Sequence, residues 1–131
     1  MRKPMLHWAV ACIAMACLSA CAPMISTAPA MLSTDNATGP SRIQLKSATE
    51  IRLETGYTRT LAAGSNWQRV GTLSQGAVYR PVGTIFTIEG RQVHEAYLVI
   101  ASQRLVGFYL PGEQAYSPLS TAVSITTGES Q

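Results

Sequence analysis

Beyond Cys21 the chain contains no cysteine: Cys12, Cys17 and Cys21 all fall in the first 21 of its 131 residues. The 110 residues that follow carry no disulfide of their own and no thiolate metal ligand, so their fold rests on burial and hydrogen bonds. Histidine is nearly as scarce, with only His94 beyond His7. A zinc site takes three or four N, S or O ligands, so one histidine among scattered acids predicts no metal centre. There is no Gly-x-Ser-x-Gly run and no second histidine to activate a serine or threonine. Glu50, Glu54, Glu89, Glu95 and Glu113 supply carboxylates but no cleft signal. Glu50 and Glu54 share a face only if that segment is helical. His94 and Glu95 are adjacent in a strand-like run and therefore point to opposite faces. No glycine run cradles a phosphate, and Gly71 and Gly76 read as turn glycines. Neither an enzyme nor a cofactor is expected; a hydrolase built on His94 or the glutamates is the weakest alternative.

Charge of either sign is sparse as well. Past Cys21 the cations are Arg42, Lys46, Arg52, Arg59, Arg69, Arg80, Arg91 and Arg104, against seven acids, a net of +1. They are spread along the chain. Nucleic-acid binding draws on a clustered basic patch, so no nucleic-acid partner is expected.

The N-terminus begins Met1-Arg2-Lys3, and from Trp8 to Leu18 runs "WAVACIAMACL", eleven residues without a charge. Such a run rises about 16 Å as a helix, roughly half a bilayer core. A charged start, a short apolar run and the small residues Ser19 and Ala20 make residues 1–20 a secretory signal peptide. The closing "LSAC", Leu18-Ser19-Ala20-Cys21, resembles the lipobox of bacterial lipoproteins. That resemblance implies diacylglyceryl transfer to the Cys21 sulfur, cleavage before Cys21 and acylation of the new amino terminus, palmitate included. Cys12 and Cys17 then leave with the leader. Three acyl chains anchor far more firmly than one. Ala22 stands where an aspartate would signal retention in the inner membrane, so the resemblance points to the outer membrane, facing the periplasm.

Residues 21–40 are rich in Ala, Ser, Thr and Pro and show no period, which predicts a flexible tether after the lipidated cysteine. Residues 41–126 carry β signals: "RIQLK", "EIRLE", "GYTRTL", "QRVGTL", "AVYRPV", "TIFTIEG", "QVHEAYLVIA", "QRLVGFYL" and "TAVSIT". Short runs with turn residues between them and no sustained 3.6-residue period predict an all-β fold, a small antiparallel barrel or sandwich. "AYLVIA" and "LVGFYL" are apolar on both faces, so Tyr97–Ile100 and Leu105–Leu110 are the expected central hairpin. Gly107 predicts a bulge or close contact there, and Pro81 a strand end or edge. Residues 127–131 read as a disordered tail. Val70-Gly71, Leu73, Gly76 and Val78 fit a pattern that resembles the strand–turn–strand of bacterial SH3-like envelope domains, which raises peptidoglycan or glycan binding as an alternative.

The leading expectation is a non-enzymatic lipoprotein whose β domain binds another envelope protein as an assembly accessory. Trp67, Glu113 and Tyr116 are the candidate contact residues, Tyr116 because "PGEQAYSPLS" reads as an ordered loop on a rigid scaffold.

Overall fold

The computed structural model describes residues 23–34 and 39–129. Residues 1–20, expected from the sequence to be a signal peptide, Cys21 and the Asp35–Thr38 stretch lie outside the described residues.

Among the described residues there is no helix. The strands are β1 (Ala28–Pro29), β2 (Arg42–Leu45), β3 (Thr49–Arg52), β4 (Thr58–Leu61), β5 (Asn66–Leu73), β6 (Gly76–Pro81), β7 (Thr87–Glu89), β8 (Val93–Glu95), β9 (Tyr97–Ala101), β10 (Arg104–Leu110), β11 (Ala115–Ser124) and β12 (Thr127–Glu129). Eight form one antiparallel sheet in the order β1-β11-β10-β9-β6-β5-β2-β12; β3–β4 and β7–β8 are separate hairpins. The all-β class is therefore as the runs predict, while the sheet does not close into a barrel. It comes near to doing so. Strand β11 ends at Ser124 on one side of the sheet, and Thr127 already pairs with Leu45 on the other. Two residues, Ile125 and Thr126, span the gap, so the sheet is strongly curled.

The expected central hairpin is present: β9 pairs with β10, and each is flanked by a further strand. Its two-residue turn uses Ser102 at φ 51° and Gln103 at φ 61°, the left-handed pair that matches the twist of a tight hairpin. The register slips between Leu105 and Gly107 on both sides of β10, so Gly107 marks a bulge. Pro81 ends β6, which lies inside the sheet rather than at an edge. Gly71 is not a turn glycine; it sits in β5 where the register with β6 slips.

Neighbouring residues on the central strands feed two separate cores. Tyr79, Leu98 and Phe108 enter the main cluster between the curled sheet and the two hairpins, with Ile51, Leu61 and Ile88 supplied by the hairpins. Val78, Val99 and Tyr109 point the other way and, with Leu73, form a second cluster on the outer face. A strand apolar on both sides needs cover on both sides.

The N-terminal segment provides that cover, which corrects the expectation of a tether. Ile25 is buried in the main cluster. Ala28–Pro29 pairs with β11, Ala30 and Leu32 pack on the outer cluster, and Ser33 and Thr72 exchange backbone hydrogen bonds of 2.9 and 2.8 Å. Residues 23–34 are thus a strap. Their composition lacks a strand period because the strap is held at scattered points rather than by one ladder. The tail is corrected in the same way: Thr127–Glu129 pairs with β2 and supplies its outer partner.

Candidate functional site

The loop between β6 and β7 carries two of the exposed large apolar side chains of the described residues, the others being Met24, Met31 and Val93. Proline lacks the N–H to extend a strand, and β6 stops at Pro81. Gly83 follows at φ 75°, a conformation that favours glycine. The loop is nonetheless pinned at both ends. The Val82 N–H donates to the Asn66 carbonyl (3.0 Å), and the Ala96 N–H to the Phe86 carbonyl (2.9 Å). The Phe86 ring is buried between Trp67 (centroids 5.6 Å apart, edge-on) and Phe108 (5.9 Å, stacked). Arg59 stands over the same ring, its Cζ 4.2 Å from the centroid, in cation–π geometry. Its Nη1 also donates to the Thr87 carbonyl and, at 3.1 Å, to Thr87 Oγ1. Between these fixed points Val82 is 37% and Ile85 69% exposed. A rigid scaffold presenting one largely bare aliphatic side chain, Ile85, beside a partly covered Val82 is the form of a contact loop.

Clefts flank the loop on either side. One, of about 590 Å³, is lined by Arg42, Gln68, Arg80, Glu95 and Tyr97 together with loop residues 81–85. Another, of about 330 Å³, runs from Arg59 and Thr60 past Trp67 to Ile85. Three arginines, Arg42, Arg59 and Arg80, therefore surround the aliphatic tip. Burial, and then the Glu95 carboxylate, raise the Tyr97 hydroxyl above the ordinary tyrosine value despite Arg80. Cations, hydroxyls and amides thus lie around an apolar knob.

Of the residues singled out in the sequence, Trp67 is 3% exposed and its Nε1 donates to Ser65 Oγ at 2.9 Å. It walls the second cleft from within the core rather than offering a free surface. Tyr116 lies in β11, not in a loop, because the turn ends at Gln114. Its hydroxyl donates to the Val106 carbonyl at 3.1 Å and its ring covers Gly107, so it is committed to the outer cluster. Glu113 stays accessible, and its Oε1 lies 2.6 Å from His94 Nδ1. His94 and Glu95 do point apart: His94 meets Glu113 in a notch beside the strap, and Glu95 faces the arginine-lined cleft. Glu50 lies in β3 and Glu54 in the turn after it, so they share no helix face. Among the described residues no three His, Cys, Asp or Glu side chains gather to hold a metal. Cys21 lies outside the described residues.

The Val82–Ile85 tip was not legible as a site. "AVYRPV" and "TIFTIEG" read as two strands meeting at a boundary. The available signal was Pro81 and Gly83 bracketing an aliphatic residue, followed by Ile85 one position before the buried Phe86. Comparisons with protein-family models, with curated proteins and with solved structures returned no match.

Proposed function

We propose that this chain is a lipid-anchored envelope protein, acylated at Cys21, whose β domain binds another envelope protein as a non-enzymatic accessory through the Val82–Ile85 loop. Its setting is the periplasmic face of the outer membrane. The observation that carries the binding reading is the loop itself: Ile85 is bare while Phe86, one residue on, is locked in the core. Water-exposed aliphatic side chains on a pinned loop are unfavourable alone and favourable in an interface, where a few central residues dominate affinity. Arg42, Arg59 and Arg80 around the tip fit an acidic rim on the partner.

The test is affinity capture of the lipidated protein from gently solubilised envelopes, comparing the native chain with Ile85→Asp and a Cys21→Ser control. A stoichiometric protein that is captured by the native chain and lost with Ile85→Asp is the expected result. Because Ile85 is exposed, the substitution should leave stability within about 0.5 kcal/mol. Equal capture by the native and Ile85→Asp forms would move the interface elsewhere.

A second reading, peptidoglycan or another anionic glycan as ligand, draws on the cleft that joins Arg42, Arg80, Gln68 and Tyr97. Co-sedimentation with cell-wall sacculi, abolished by Arg42→Ala with Arg80→Ala, is its signature.

A further inference from the structure

The strap has a consequence for how the domain meets the lipid surface. Pro23 and Ile25 do not trail away from the fold. They rest on Gly90, at the tip of the β7–β8 hairpin, so closely that a Cβ on Gly90 would lie 2.6 Å from Ile25 Cγ1 and 3.1 Å from the Pro23 carbonyl oxygen. Cys21 precedes Pro23 by two residues, so its Cα lies at most about 7 Å from that of Pro23. A lipid attached there leaves the domain no tether on which to stand off.

The surface at that point suits a bilayer. Met24 is 67% and Val93 63% exposed, and Arg91, on the same hairpin tip, lines the notch that Met24 also lines. Val93 lies on the other face of the hairpin from this notch, because its neighbour His94 faces the notch, and Val93 is paired across the hairpin with Glu89. Set end-on, the tip brings Met24, Arg91 and Val93 from its two faces to the acyl–headgroup boundary, where apolar groups bury and arginine meets phosphate. The hairpin then sets the direction of the opposite end. Strand β7 puts about 10 Å of extended chain between its tip and Phe86, beyond which lies the Val82–Ile85 loop.

We infer that the β7–β8 tip, with Met24, Arg91 and Val93, is a membrane-contact face that seats the domain on the bilayer and presents the Val82–Ile85 loop away from it. The inference rests on the Cys21 anchor of the proposed function. Its occupant is the lipid surface holding the anchor.

The experiment uses the full chain, expressed with its leader and processed in the cell, then reconstituted in phosphatidylethanolamine–phosphatidylglycerol vesicles. The mature sequence has no thiol besides Cys21, so Val93→Cys and Ile85→Cys each offer one labelling position for an environment-sensitive fluorophore. Intact mass and palmitate incorporation report acylation; quenching by bromine-labelled lipids reports contact. The expected result is acylated protein in which the label at 93 is quenched several-fold more than the label at 85. Gly90→Val, whose Cβ meets the Ile25 side chain at 2.6 Å and crowds the Pro23 carbonyl at 3.1 Å, is expected to loosen Ile25 and Pro23 from the hairpin and bring the two values together. Acylated protein with equal quenching at both positions, or stronger quenching at 85, overturns the seating and leaves the anchor standing. Absence of acylation overturns both.

Discussion

Arg59 concentrates more of the site's geometry than any other side chain. Its guanidinium stacks on Phe86 and donates to both the carbonyl and the hydroxyl of Thr87, joining the β3–β4 hairpin to the start of β7. Arg59→Ala leaves these acceptors short of a donor and the ring uncovered, at an expected cost of about 1–3 kcal/mol. Arg59→Lys keeps the charge but not the planar fork that stacks and donates together. Denaturant midpoints should therefore rank native above Lys above Ala; a lysine variant equal to native would reduce the residue to a simple charge. The tyrosines set a second expectation at this scale. Burial is the main cause that raises the hydroxyls of Tyr79, Tyr97 and Tyr116 above the ordinary value near 10; Arg69 opposes it at Tyr79, and Glu95 adds to it at Tyr97. A raised acid binds its proton more tightly folded than unfolded. The associated stability is then complete below about pH 10, the unfolded value, and is lost as pH climbs through the folded values. Unfolding free energy should be flat from neutral to mildly alkaline pH and fall above about 10. Tyr116→Phe, with one fewer titrating group, should start lower for want of the bond to Val106 and fall less steeply. A profile that is level throughout the alkaline range would contradict the burial.

At the scale of elements, what periodicity could reveal was revealed, and what depends on long-range cover was not. Leu98, Val99, Phe108 and Tyr109 announce two buried faces by being apolar without alternation, and the hairpin they form is the middle of the sheet. The bulge at Gly107 and the strand end at Pro81 follow from backbone rules that need no tertiary information. Residues 23–34 and 127–129 carry too few apolar side chains to declare a period, and they are ordered because existing edges and faces need partners. Such a demand is written in β2, β5 and the central strands, not in the segments that answer it. The "QVHEAYLVIA" run splits for a comparable reason: Ala96 gives its N–H to Phe86 rather than to a ladder, so β8 and β9 belong to different sheets. Trp67 shows the limit for site residues. A tryptophan can be a hot spot or a core anchor on composition alone, and its burial edge-on against Phe86 decides between them.

For the molecule as a whole, the strap turns an open curled sheet with a bare outer cluster into a domain covered on both faces. If that is its role, lifting its outer part, residues 28–33, must expose Val78, Val99 and Tyr109 while leaving Ile25 and the main core assembled. Gly71 is the place to apply the lever, because a Cβ there would sit 2.3 Å from the Ser33 carbonyl oxygen and 2.9 Å from Leu32 Cδ1. Strap backbone cannot yield within that space, so Gly71→Val should displace residues 32–33 rather than strain them in place. The expected loss is about 1–3 kcal/mol, typical of overpacking. Faster amide exchange at Ser33 and Thr72, which now bond each other, should accompany it, with new binding of a hydrophobic dye. Gly112, with nothing within 4 Å of a built Cβ, is the control, and Gly112→Ala should stay within about 0.5 kcal/mol of native. Protection retained at Ser33 in Gly71→Val would mean that the β5 bulge gives way instead of the strap. Protection lost there with the main-core amides unchanged would mean that the strap is a separable layer, and that residues 28–33 and the outer face of the sheet are one structural unit.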